Sequence, residues 1–205
     1  ERLKYLNSIG LLSMNIIHEG VKNTLPEMST KTQPKLKGVD KLLKDAGKEK
    51  LSTSSHRHRC WAYVVKAASF KSFNDRNWKD HLQRDIADET IFEFLESAKR
   101  GILQDEFRKY YCRDDENFFD NIKRALIGNI DAIRNSVPNT NNEFAESHIF
   151  AAMICDNDDN APLRHYGKLK IYKQHGDPDY LNIHEDKQPI LEVAHTDGNH
   201  FSFVL

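Results

Sequence analysis

The sequence predicts an α+β protein in which a helical middle packs on a small, mostly antiparallel carboxyl-terminal sheet. Three observations lead there. Apolar residues recur at spacings of three and four from about Ile91 to Ile133, the helical period. After the acidic stretch at Asp156 to Pro162 the texture changes to short alternating runs bounded by Gly, Asp or Pro, which reads as strand. The two textures follow one another instead of alternating, and this separates α+β from a doubly wound sheet. A length of 205 residues fits one domain with an appendage. We divide it into a helical amino-terminal extension, 1–50, and a domain, 51–205.

The elements follow in order. Leu3, Leu6, Leu11, Met14, Ile17 and Val21 lie at helical spacing and predict a first helix, closed by Pro26, Pro34 and a Ser/Thr cluster. Val39, Leu42, Leu43 and Ala46 form one stripe beneath many lysines and predict a short amphipathic helix over 38–50, its lysine face solvated. A polar loop, 51–59, runs into Cys60 to Phe70, where nearly every residue is apolar or small, so this helix is expected at the centre of the core. A turn at Asn74 to Asn77 precedes the helical middle, and a loop at Asn135 to Asn142, containing Pro138, ends it. One more helix is expected over Glu143 to Ile154, then a surface loop at 156–162. Strands are expected at Lys168 to Lys173, Ile190 to Val193 and Phe201 to Leu205, the last two joined through an Asp197-Gly198 turn into a hairpin.

Composition excludes several classes. Thirty Lys+Arg against 31 Asp+Glu argue against a protein that wraps a polyanion, so nucleic acid is not the expected partner. No apolar stretch approaches the roughly 20 residues that span a bilayer, and the amino terminus lacks a basic-then-apolar signal pattern; no membrane span is expected. Three cysteines, Cys60, Cys112 and Cys155, make no disulfide framework and fit a reducing, cytosolic compartment. Metal is not expected. His56, His58 and Cys60 alternate with arginines that would repel a cation, and Asp156 to Gly167 lacks the glycine and glutamate of a calcium loop.

Chemistry concentrates at Cys60. It opens a helix, where backbone N–H groups and the helix dipole favour a thiolate, and Arg57 and Arg59 flank it, so a lowered pKa is expected. Cys112 and Cys155 lack that setting and are assigned to packing. A nucleophilic thiol needs a base. His200, opening the returning strand of the hairpin, is the candidate imidazole, with Asp197 or Ser202 as candidates to orient it.

A cysteine at the start of a core helix, followed a domain-length later by a histidine opening a late strand, resembles the papain-like thiol hydrolases, and Cys60-Trp61-Ala62-Tyr63 looks like papain's Cys-Trp-Ala-Phe. Papain fits poorly: Ser54 stands where its oxyanion glutamine would be, and His58-Arg59 replaces its Gly-Ser. The segment Pro189-Ile190, Leu191 and Val193, then Asp197-Gly198-Asn199-His200-Phe201 and Ser202-Phe203-Val204, resembles the closing block of the ovarian-tumour (OTU) family of deubiquitinating cysteine proteases in the same clan. That resemblance, over about 51–205, implies a papain-like OTU-type fold and a deubiquitinase needing no cofactor, with ubiquitin or polyubiquitin as partner. It implies Cys60 as nucleophile, His200 as base, and Arg57, Arg59, Asn199 and Phe201 beside the substrate, Phe201 narrowing the channel for the Gly-Gly tail. The place of action would be a reducing cytosol, or a host cytosol if the chain is an exported effector. Departures are plain. Arg57-His58-Arg59-Cys60 replaces the family's Asp-Gly-x-Cys, and Ser202 replaces its Asn or Asp two residues after the histidine. A pseudoprotease that binds ubiquitin without cleaving it, or a Cys-His hydrolase or acyltransferase unrelated to ubiquitin, are the alternatives.

Overall fold

The computed structural model describes residues 38–112, 116–137, 145–196 and 200–205. The expected first helix, the loop from Pro138 to Asn142, Asp197 to Asn199 and the side chain of Cys112 lie outside them. In chain order the elements are α1 (Gly38–Asp45), β1 (Lys50–Leu51), α2 (Cys60–Ser72), α3 (Asp88–Ile102), α4 (Asp105–Cys112), α5 (Glu116–Ser136), α6 (His148–Cys155), β2 (Lys168–Lys173), β3 (Asp179–Asn182), β4 (Ile190–Thr196) and β5 (His200–Val204), with single 3₁₀ turns at His56–His58 and Trp78–Leu82.

The strands form one sheet in the order β1-β5-β4-β2-β3. Only β2 and β4 run parallel; β1 on β5, β5 on β4 and β3 on β2 are antiparallel. The α+β class and the mostly antiparallel sheet therefore stand. Strands β1 and β3 were not expected, because two and four half-exposed residues carry no alternation to read. The helix expected over 38–50 stops at Asp45: Gly47 adopts φ 66°, and Lys48 N–H bonds the Leu43 carbonyl at 2.8 Å, the left-handed cap that glycine favours. The segment from Lys48 is thereby freed to enter the sheet.

Strand alternation divides the core in two. Phe201, Phe203, Leu191 and Val193 join the main cluster with α2, α3 and α6. Ala194, Val204 and Tyr172 point to the other face and close on Val39 and Leu43 of α1. Helix α2 is buried almost all round, from Cys60 through Val65 and at Ala67 and Ala68. Helix α6 is likewise buried at every position, but it starts at His148, later than the expected Glu143. Among the described residues, no helix is long and apolar enough to cross a membrane.

Helices α3 and α6 approach closely because small residues meet there. A Cβ on Gly101 would overlap the Ala152 carbonyl oxygen, whereas one on Gly128, exposed on α5, would meet nothing. Two glycines therefore predict opposite signs. Gly101→Ala should lose about 1–3 kcal/mol to overpacking, and Gly128→Ala should gain about 0.5–1 kcal/mol from helix propensity, both read by urea unfolding.

Asp156 corrects the expectation of a surface loop at its first position. It is 1% exposed, accepts from Ser97 Oγ at 2.7 Å and Arg100 at 2.8 Å, and so ties the end of α6 to α3. The residues from Asn157 to Asn160 are exposed as expected.

Glu146, just before α6, donates its N–H to Asn129 Oδ1 at 3.0 Å, and burial raises its carboxyl from 4.5 to about 7. The folded state holds this proton longer than the unfolded chain. The resulting stability is complete below about pH 4.5 and lost as pH rises through about 7. Glu146→Gln, which cannot ionise, should melt higher than the parent at pH 8 and close to it at pH 4.5.

Candidate active site

Cys60 lies 3% exposed at the first turn of α2, where its Sγ accepts a hydrogen bond from the Phe201 N–H at 3.3 Å. That one bond joins the start of the central helix to β5 across 141 positions of sequence. It sets the thiol against the residue that follows His200. The contact between Cys60 and the strand that carries His200 is thus made through the backbone.

The expected low pKa of Cys60 is not found. Burial pushes the thiol up from its ordinary value, and the N–H groups of Phe201, Trp61 and Cys60 itself only partly oppose this. Arg59 does not do what its sequence position promised. The Arg59 guanidinium is turned into the protein, donating to the carbonyls of Ile86 at 3.2 Å and Val137 at 3.0 Å and pairing with Asp88 at 2.7 Å. At 6% exposed, it braces the loop before Cys60 and is not placed to meet a substrate. Arg57 is exposed, as the expectation of a substrate contact requires. Cys155 is buried and pushed up to about 12, in keeping with its assignment to packing.

The turn before Cys60 is strained. Arg57 and the adjoining His58 take φ values of 50° and 56°, left-handed conformations uncommon for residues with a Cβ and concentrated at functional sites. The N–H groups of His58 and Arg59 are occupied by the carbonyls of Ser55 and His56, at 3.2 and 3.1 Å.

His200 is half-buried and pairs with Thr196 in the β4–β5 ladder. Its Nε2 lies 3.2 Å from Thr53 Oγ1, and Thr53 in turn donates to the Phe201 carbonyl at 2.5 Å. Burial lowers the His200 pKa, and the nearby Lys50 ammonium lowers it further. Both shifts favour a neutral imidazole. Of the residues proposed to orient His200, Ser202 is buried and registered with Ala194, and Asp197 lies outside the described residues, as does Asn199. The hydroxyl that meets the ring belongs to Thr53. Sequence reading missed it because it sits in a polar loop without a motif; its only signal is that it continues β1, a strand too short to read.

Phe201 is fully buried. Its ring packs against the edge of Phe150 at 5.3 Å and stacks on His195 at 4.4 Å, so it belongs to the core, while its backbone N–H reaches the thiol. The stacking also places a second imidazole, His195, on the Phe201 side of the sheet. Among the described residues, no group of three or more His, Cys, Asp or Glu side chains can hold a metal ion.

The fold and site together define an α+β protein with a buried thiol at the start of its central helix, held against a histidine-bearing strand. Compared with known proteins, the chain matches no family model, no curated sequence and no solved structure.

Proposed function

We propose that the protein is a papain-like, OTU-type cysteine protease that hydrolyses the bond following ubiquitin's carboxyl-terminal Gly-Gly. The observation that carries this reading is the Phe201 N–H to Cys60 Sγ bond, which puts a helix-opening thiol beside the residue after His200. The resemblance of Pro189 to Val204 to the OTU closing block supplies the substrate class.

In this mechanism His200 accepts the Cys60 proton, and the sulfur attacks the carbonyl carbon of the terminal glycine. Negative charge on the resulting oxyanion is met by N–H groups at the start of α2. The imidazolium returns its proton to the leaving amine as the C–N bond breaks, leaving a thioester. Water, deprotonated by the same imidazole, hydrolyses the thioester and restores the thiol. Because burial raises Cys60 and lowers His200, the pair rests neutral, and proton transfer accompanies attack.

A second reading is favoured by one observation. Cys60 is 3% exposed with a raised pKa, as suits a ubiquitin-binding pseudoprotease. Incubation with diubiquitins of each linkage, followed by gel analysis, separates the two. Release of monoubiquitin supports the protease; binding without turnover supports the pseudoprotease; neither binding nor turnover removes ubiquitin from the account.

A further inference from the structure

We propose that Thr53 is the positioning residue of the site, fixing His200 as the tautomer that carries its proton on Nε2 and its lone pair on Nδ1. The inference rests on the reading of Cys60 and His200 as a catalytic pair only for its effect on turnover; the tautomer stands on geometry alone.

A threonine hydroxyl has one proton to donate and lone pairs to accept with. Thr53 gives that proton to the Phe201 carbonyl, 2.5 Å away. Toward His200 Nε2, at 3.2 Å, it can then act only as acceptor. The ring nitrogen must therefore be the donor, and in a neutral imidazole this leaves the lone pair on Nδ1. The hydrogen-bond network fixes the proton's position.

Thr53 is itself held from several sides. It is 5% exposed. The Ser54 N–H bonds the Leu82 carbonyl at 2.9 Å, and Gln83 Nε2 bonds the Ser52 carbonyl at 2.9 Å, so the residues on both sides of Thr53 are anchored to the end of the 3₁₀ turn at Trp78–Leu82. On β5, the carbonyl that takes the Thr53 proton belongs to the same residue whose N–H binds Cys60 Sγ. One peptide segment thus links the hydroxyl, the imidazole and the thiol. A shift of Thr53 would disturb ring orientation and thiol placement together.

The chemistry of this arrangement differs from that of a carboxylate-held histidine. A hydroxyl selects the tautomer and orients the ring but adds no negative charge to stabilise an imidazolium. Lys50, whose Nζ is 2.5 Å from Asp40 Oδ1, opposes that cation too. Thr53 therefore contributes to the turnover step and not to substrate affinity.

The test begins with the parent protein. Long-range ¹H–¹⁵N correlation spectra at pH 8, with His200 assigned from the spectrum of His200→Ala, should show the Nε2–H tautomer, with an Nε2–H proton protected from rapid exchange. An Nδ1–H tautomer overturns the proposal without any need for a variant. Thr53→Val keeps the shape and removes the acceptor; it should lose the protected Nε2–H signal, and Thr53→Ser should keep it. On a ubiquitin carboxyl-terminal amide, Thr53→Val should lower kcat about 10- to 100-fold with KM unchanged, since misplacing a catalytic group by about 1 Å costs up to about 100-fold. Thr53→Ser should lie within about threefold of the parent. Retention of both the protected signal and kcat in Thr53→Val contradicts the assignment. If the parent shows no turnover, the protease reading fails while the spectra still decide the role of Thr53.

Discussion

Cys60→Ala is expected to abolish hydrolysis of a ubiquitin carboxyl-terminal amide, lowering kcat by about 10⁴- to 10⁶-fold, the scale on which hydrolases respond to loss of the nucleophile. The fold should survive. Cys60 is a small side chain within a broad cluster that includes Trp61, Val64, Phe150 and Phe201. Alanine removes one sulfur and the partner of the buried Phe201 N–H, a cost of about 1–3 kcal/mol. Unchanged circular dichroism with lost turnover assigns the chemistry to Cys60. Retained turnover removes it from the mechanism, and Cys155, buried and raised to about 12, is no substitute.

The second large effect distinguishes two imidazoles. His200→Ala should lower kcat by about 10³-fold or more, because the thiol then has no group to take its proton and the leaving amine none to supply one. His195→Ala should act differently. His195 stacks on Phe201 at 4.4 Å and 17°, an aromatic contact worth about 0.5–1.5 kcal/mol beyond burial. Its loss should lower the melting temperature and leave turnover within about tenfold of the parent. The reverse ranking would assign the base to His195, which shares the Phe201 face of the sheet, and would make His200 a residue of the sheet edge. Melting curves of both variants separate destabilisation from chemistry.

What the sequence disclosed depended on periodicity and chain order. Helix α2 was legible because Cys60 to Phe70 is apolar nearly throughout, and the helical middle because Ile91, Phe94, Ala98 and Ile102 fall on one stripe. The hairpin strands were legible from their bounding turn residues and their alternation. Elements that rest on tertiary pairing were not. Strand β1 is two residues long and exists because Lys50 and Leu51 pair with Val204 and Phe203; β3 exists because β2 offers it an edge.

The site was legible in the same uneven way. Cys60 and the His200 strand meet because one opens the central helix and the other forms an inner strand of the sheet, and both elements follow from pattern. The electrostatics did not follow. Adjacency of Arg59 to Cys60 implied a charge near the thiol, yet consecutive residues at a helix start point apart, and the guanidinium is spent on Ile86, Val137 and Asp88. Phe201 similarly contributes through its backbone while its ring fills the core. Thr53 was invisible because its role depends on a register seven residues upstream of Cys60.

The central claim, that Cys60 is a nucleophile directed at ubiquitin's carboxyl terminus, is tested most directly by a ubiquitin probe whose terminal carboxylate is replaced by a thiol-reactive electrophile. Intact mass and peptide mapping should show one adduct, on Cys60, absent from Cys60→Ala and reduced in His200→Ala. No adduct, or an adduct that persists in Cys60→Ala, would contradict it.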